Sequence, residues 1–505
     1  MDCLSRKLLT TLTISGTVSL PDATTLDLPE KVLQFGTGVL LRALPDHFID
    51  KANQQHLFNG RIVVIRSTSG SNTDFDSQNG LYTVCERGLQ NGQVVTENTI
   101  NASISRVLSA SSQWQEILQV ACSKELQLII SNTTEVGIRF EKEIIGYNSP
   151  SSFPAKLLAI LKARYDHFKG KPSAGLVIIP TELISNNATV LKGILLKLAL
   201  LNEFGSSFID WLTASNSFCN SLVDRIVPGK PAGEELEKIT QELGYTDALL
   251  TKAEPFKLWA IEGDKKLRKR LPFSQVDPGI IITEDITKFK ELKLRLLNGT
   301  HTFCCAVAYL NNISFTRETF ADPDCSSFIR RLMFEEIVPA IPYEVSTDEK
   351  ESYARSVIDR FANPFIDHQW ISISVQYTSK MRMRNIPLIL EYYKHFQRVP
   401  RLMAFGFASY ILFLRPSQLT ENRYFGEWEG VTYEIKDEFA PFFYDLWRNT
   451  NFEGIAKKVL MNTDLWGIDM SLLDGLCEQV QKDMERILSV SIKNALLQLM
   501  NAQRS

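Results

Sequence analysis

The chain is notable first for what it lacks. Its eight cysteines (3, 85, 122, 219, 304, 305, 325 and 477) form no CxxC pair, so a redox dithiol and a structural zinc knuckle are not written into the spacing. They read as reduced thiols of a cytoplasmic protein, with the adjacent Cys304 and Cys305 in a core rather than in a redox pair. The six histidines (47, 56, 167, 301, 368 and 395) never fall at metal-ligand spacing, and no metal is expected. Charge of one sign is also missing: 55 basic against 58 acidic residues leave a net charge of −3, which gives no electrostatic case for nucleic acid or an anionic membrane. The amino-terminal stretch MDCLSRKLLTTLTISGTVSL is interrupted by Thr and Ser, so it resembles neither a signal peptide nor a bilayer span. What remains is the composition of a soluble globular protein, 44% hydrophobic and 22% charged, with enough chain for two domains.

Residues 31–35 (KVLQF) read as a strand that runs into Gly36-Thr37-Gly38 and then the helix-compatible VLLRAL. Strand, glycine turn and helix in this order make a phosphate cradle, in which Phe35, Gly36, Thr37, Gly38 and Arg42 are candidate cofactor contacts. The third glycine of the usual dinucleotide fingerprint is absent, and Leu41 stands in its place. A second strand, residues 61–66 (RIVVIR), lacks the terminal Asp or Glu that holds adenosine ribose hydroxyls; Arg66 is there instead and leaves the choice between NAD and NADP open.

Further strands are expected at 126–130 and 176–179, with polar clusters at their ends that include Asn132, Thr133 and Glu135, and then Thr181 and Glu182. A hairpin around Asn91-Gly92 is expected within the parallel sheet. Amphipathic helices are expected at 152–168 and from about residue 187, and strand signals at 254–263 and 280–282. After residue 298 helical patterns recur and strand signals are few, which predicts a Rossmann-like α/β domain over 1–285 and a mainly α-helical domain over 286–505.

The densest chemistry lies at 293–301, KLRLLNGTH, which supplies an amine, a carboxamide and an imidazole from Lys293, Asn298 and His301. On a regular α-helix at about 100° per residue, His301 lies about 80° and Asn298 about 140° around the axis from Lys293, so all three can face one side. An amine so placed can donate and accept a proton, the Asn amide can hold a developing oxyanion, and a neutral His can bind a hydroxyl. The same spacing also suits a plain amphipathic helix. Farther on, RFANPFIDH (360–368) and KMRMR (380–384) gather cations suited to an anion, although the second equally fits a solvated basic face.

Taken in order, GTGVLLR, NGLYTV, SNTTEVG, PTELISNN, NSFCNSLVDRIVPG, KLRLLNGTH and RFANPFIDHQ resemble the polyol-specific long-chain dehydrogenases, the family that includes mannitol dehydrogenases. The similarity runs from about residue 30 to the carboxyl end, and the family pattern KxxxxNxxH is complete in Lys293, Asn298 and His301. The resemblance implies metal-independent chemistry with NAD: Lys293 as general acid and base, Asn298 on the reacting oxygen, and His301 on the substrate. It further implies that Asp224 and Arg360 line the substrate site, and that Asn132, Thr133 and Glu135 border the nicotinamide.

One departure stands out, because mannitol dehydrogenases carry an Asn as second oxyanion donor where this chain has Thr181-Glu182-Leu183. That change is similar to the uronate-reducing branch, and it leaves Asn186 or Asn187 as candidate donors. The implied reaction is reversible hydride transfer to a six-carbon sugar acid, D-tagaturonate giving D-altronate in hexuronate catabolism. Arg360, Lys380 and Arg384 would grip its carboxylate, in a monomer or small homo-oligomer. Fructuronate reduction, neutral polyol oxidation and, outside enzymes, dinucleotide sensing are the alternatives.

Overall fold

The computed structural model describes residues 1–12, 18–67, 70–133 and 137–501. The chain forms two compact units: Met1–Arg87 with Val94–Ile286, and Gly88–Gln93 with Thr287–Ser505.

The first unit is built on a six-stranded parallel sheet. Its strands in chain order are β1 (Glu30–Phe35), β2 (Arg61–Arg66), β3 (Ile104–Ser109), β4 (Leu128–Ser131), β5 (Val177–Pro180) and β6 (Ser217–Phe218). Across the sheet the order is β3-β2-β1-β4-β5-β6. The chain thus works outward from β1 in one direction and then restarts at β4 on the other side, as in doubly wound dinucleotide folds. The central strands read as unbroken apolar runs because both faces are covered. Leu33, Phe35, Val63 and Ile65 point into one core with Leu157, Leu158 and Leu195, while Val32, Ile62 and Val64 point into the other with Phe48 and Ile49.

The hairpin of Tyr82–Gln90 and Gln93–Asn101 departs from expectation. It lies outside the parallel sheet, in a second sheet with Val18–Ser19 at one edge and Thr251–Ala253 at the other. The reason is that β3, which follows the hairpin, takes the place beside β2 and leaves the hairpin to pair elsewhere.

The second unit is mainly helical. Its core is threaded by α1 (Thr300–Leu310) and α2 (Arg401–Phe413), apolar around nearly their whole circumference and correspondingly buried. A three-stranded antiparallel sheet of Pro416–Thr420, Arg423–Trp428 and Val431–Ile435 was not anticipated among these helices. Three stretches, Lys293–Gly299, Leu332–Ile337 and Met381–Asn385, are wound as π-helix. No helix among the described residues is long and apolar enough to cross a membrane.

Candidate active site

In the first unit the functional geometry sits where the sheet changes direction, between β1 and β4. Gly36 follows β1 with φ +117°, a conformation open to glycine and strained for other residues. A Cβ at this position would lie 3.0 Å from the Asn132 carbonyl oxygen at the end of β4. The two strand ends are drawn together by the Asn132 N–H donating to the Phe35 carbonyl. Above Gly38 there is open space, with nothing within 4 Å of an added Cβ, and the short helix Val39–Ala43 begins there without a side-chain cap. Backbone crowding on one side and free backbone on the other fit the approach of a dinucleotide at such a crossing point.

The side chains predicted to serve this cradle divide into two groups. Phe35 contributes backbone only, since its ring is packed edge-on against Phe153 at 4.8 Å between centroids. Arg42 is buried: its guanidinium donates to the Leu249 carbonyl and lies over the Tyr82 ring, while its Nε has no hydrogen-bond partner among the described residues. Asn187 is a correction. It is wholly buried, and its amide group donates to the carbonyls of Pro180, Glu182 and Ser221, so it ties strand ends together and has nothing left for an oxyanion.

Thr37 is half-buried beside Gly36. Arg66 ends β2 half-buried, with a buried Nε that has no hydrogen-bond partner among the described residues. Asn132 donates to Thr181 Oγ1 at 3.0 Å. Glu135 lies outside the described residues. Asp224 is buried at the end of Ser221–Asp224, opposite Leu258.

Two features of this unit escaped sequence reasoning. Glu182, read as part of a strand-end polar cluster and as a departure from the family pattern, accepts hydrogen bonds from the Thr133 N–H at 2.9 Å, the Thr133 hydroxyl at 3.0 Å and the Ser131 hydroxyl at 3.1 Å. Burial raises its carboxyl above the ordinary range against the pull of these donors. It ties Ser131 and Thr133 at the end of β4. The second is a buried charge cluster in which Glu86 binds Arg225, Lys257 and, at 3.5 Å, His47. Burial drives His47 down to about 3, and Arg225, His47 and Lys257 carry Glu86 to about 2 despite its own burial. The signal for Arg225 was its place beside Asp224; its partners, far away in sequence, gave none.

In the second unit the helix beginning at Thr287 changes pitch at Lys293, the start of the π stretch. With i→i+5 bonding, a residue and the fifth after it lie one turn apart on the same side. Lys293 and Asn298 are such a pair, which brings them closer in direction than α-helical winding would. His301, just inside α1, is buried and stacks on Phe361 with ring centroids 4.1 Å apart and planes at 10°. His368 and Trp370 meet it edge-on at 5.2 and 5.9 Å.

Burial lowers the His301 pKa well below its ordinary value, and His368, Arg384, Arg360 and Lys380 lower it further. His368 is lowered in the same way, by burial and then by Lys380 and Arg360. The largest charge effects on both imidazoles come from basic groups. Arg384 approaches Thr302 Oγ1 at 3.2 Å and the Asn298 carbonyl at 3.5 Å; its Nε is buried without a hydrogen-bond partner among the described residues, and burial brings its pKa to about 10. Lys380 donates to the Ile373 carbonyl at 2.9 Å. Arg360 is buried in the last turn of Thr347–Phe361. His301, Arg360, Lys380 and Arg384 therefore share one electropositive neighbourhood with His368, the last residue of the RFANPFIDH stretch. Among the described residues no cluster of three or more metal-ligating side chains is found.

Residues 30–275 match the mannitol dehydrogenase Rossmann domain, and residues 285–488 match the mannitol dehydrogenase C-terminal domain. The chain is 36% identical over 487 residues to altronate oxidoreductase of Halalkalibacterium halodurans, covering 94% of each. It is 35% identical over 474 residues to altronate oxidoreductase of Bacillus subtilis, covering 93% of this chain and 95% of the relative. Among solved structures, a Pseudomonas fluorescens mannitol 2-dehydrogenase in ternary complex with NAD and D-mannitol superposes with a TM-score of 0.68 at 23% identity, over 99% of this chain and 100% of that one. A D-sorbitol dehydrogenase in substrate-free form superposes with a TM-score of 0.78 at 20% identity, over 98% and 100%. These two likenesses are of fold.

Proposed function

This chain belongs to the mannitol dehydrogenase family, and from that premise we propose that it is an NAD-dependent oxidoreductase that interconverts D-tagaturonate and D-altronate. The relatives named altronate oxidoreductase support the substrate class. The observation that carries the proposal is the set of basic groups around His301, with Arg384 holding a buried Nε that has no hydrogen-bond partner among the described residues. A neutral polyol has no use for such a set; a sugar acid brings a carboxylate to it.

NAD(H), when bound at the glycine turn of the first unit, supplies or takes up the hydride. The chain's own residues handle the proton. In reduction, Lys293 donates a proton from Nζ to the substrate carbonyl oxygen as the carbon gains hydride, so C=O becomes CH–OH; in oxidation the neutral amine takes that proton back. The Asn298 amide donates to the same oxygen and stabilises the charge developing on it. His301, kept neutral by burial and by its basic neighbours, exchanges a hydrogen bond with a substrate hydroxyl without adding charge. Arg384, Arg360 and Lys380 hold the carboxylate, with the arginines suited to a two-pronged grip.

The proposed setting is cytoplasmic, consistent with eight free cysteines, for a monomer or small homo-oligomer with a small sugar acid as its partner. The test is reduced-nicotinamide consumption with tagaturonate, fructuronate and fructose, each with NADH and with NADPH. The expected ranking places tagaturonate with NADH first. Equal rates on fructose would remove the carboxylate site, faster reduction of fructuronate would reassign the stereochemistry, and tight dinucleotide binding without turnover would make the protein a sensor.

A further inference from the structure

The π turn at Lys293–Gly299 requires something to hold it, because π winding is rare and less favourable than the α-helix on either side. The structure contains a second π turn packed against it, Met381–Asn385, and the two are laced together by side chains. Arg295, buried within the first turn, donates from Nη1 to the carbonyls of Met383 at 2.8 Å and Arg384 at 2.7 Å. Its Nε is held by Glu291 at 2.9 Å, one turn earlier. In the opposite direction, Asn385 donates from Nδ2 to the Gly299 carbonyl at 3.0 Å. Arg384 reaches Thr302 Oγ1, which itself donates to the Asn298 carbonyl at 2.8 Å.

The sequence explains why the Met383 carbonyl is available. Pro387 has no N–H, so the Met383 carbonyl, four residues earlier, has no α-helical partner. Arg295 supplies one from the neighbouring helix.

We propose that Arg295 and Asn385 are positioning residues for the reaction. By tying each π turn to the carbonyls of the other, they hold Lys293 and Asn298 one turn apart on one side of the helix. Neither touches the reacting atoms. Loss of the lacing lets Lys293–Gly299 relax toward α-helical winding, in which the fifth residue is rotated away from the first. This inference rests on the assignment of Lys293 as proton donor, so the wild-type enzyme must first be shown to reduce a keto sugar acid with NADH. If wild type shows no turnover, the functional assignment fails; if only the variants behave otherwise than described, this inference fails.

The variants are Arg295→Lys, which keeps the charge but loses the fork, Asn385→Ala, and Glu291→Gln, which removes the ion pair and leaves both laces. The first two are expected to lower kcat by about 10- to 100-fold, the penalty of a misplaced catalytic group, with the KM for NADH within about twofold of wild type. The primary isotope effect on kcat with deuterated NADH rises in both, because the chemical step becomes slower relative to binding and release. Glu291→Gln stays within about threefold of wild type, as expected for removal of a single i, i+4 ion pair. A kcat near wild type in both lace variants overturns the proposal. So does a loss accounted for by a reduced folded fraction, with the isotope effect unchanged, since that describes a purely structural contact.

Discussion

The two units use charge in opposite ways. In the first, the buried cations Arg225 and Lys257 are paired with Glu86, and Arg42 donates to the Leu249 carbonyl. Its ligand-facing geometry is made of backbone instead, with Gly36 against Asn132 and open space over Gly38. In the second, Arg360, Lys380 and Arg384 converge on His301 and give the largest charge effects on that ring together with His368. The lesson is that residue type alone does not identify a binding cation. A guanidinium paired with a buried carboxylate braces a fold; one such as Arg384, whose buried Nε has no hydrogen-bond partner among the described residues, can still take an anion.

The sharpest break in this contrast is Lys293→Ala. Removal of the proton donor is expected to lower kcat by roughly 10²- to 10⁴-fold while dinucleotide binding, measured by fluorescence titration, stays unchanged. Next is Arg384→Ala. Loss of a charge-assisted bond is expected to raise the KM for the sugar acid by roughly 10- to 100-fold and to leave any slow rate on fructose unaltered. An equal effect on both substrates would mean that Arg384 only supports Thr302 and Asn298.

In the first unit, Gly36→Ala combines the φ of +117° with a Cβ 3.0 Å from the Asn132 oxygen. It is expected to cost about 1–3 kcal/mol of stability in urea unfolding and to raise the KM for NADH, with little change in the KM for the sugar acid.

The smallest effect concerns pH. His301 is neutral when folded and takes up a proton near pH 6.5 when unfolded, so acid favours the unfolded chain as pH falls below about 6.5. The melting temperature of wild type, compared with His301→Asn, should therefore decline between about pH 7.5 and 5.5. A gap that does not change with pH would show that the ring is not held neutral.

Much of the first unit could be read from the chain because its determinants are local. Strand runs such as RIVVIR are buried on both faces, and the glycine turn after KVLQF marks the crossing point. The second unit's small sheet also left a local trace in the turns at Glu421-Asn422 and Glu429-Gly430, both at positive φ, between alternating strands. Those signals were outweighed by the surrounding helical periodicity. Other features had no local trace. The π winding at Lys293 depends on Arg295 meeting carbonyls 88 and 89 residues away, and no periodicity within KLRLLNGTH encodes that. The fates of Arg42 and Asn187 were likewise decided by distant backbone, Leu249 and Ser221. Glu182 was visible as a substitution, but only the folded turn shows that it serves Thr133 rather than a substrate oxygen.

The change of pitch at Lys293 has a mechanical consequence. One uninterrupted rod carries the half-exposed stretch with Lys293 and Asn298 directly into α1, whose residues 300–308 are all buried. The amine and the carboxamide are mounted on the same stiff member that anchors the interior of the unit. Fluctuations of surface loops then shift both groups together or not at all, and the spacing between them is set by the rod's own winding.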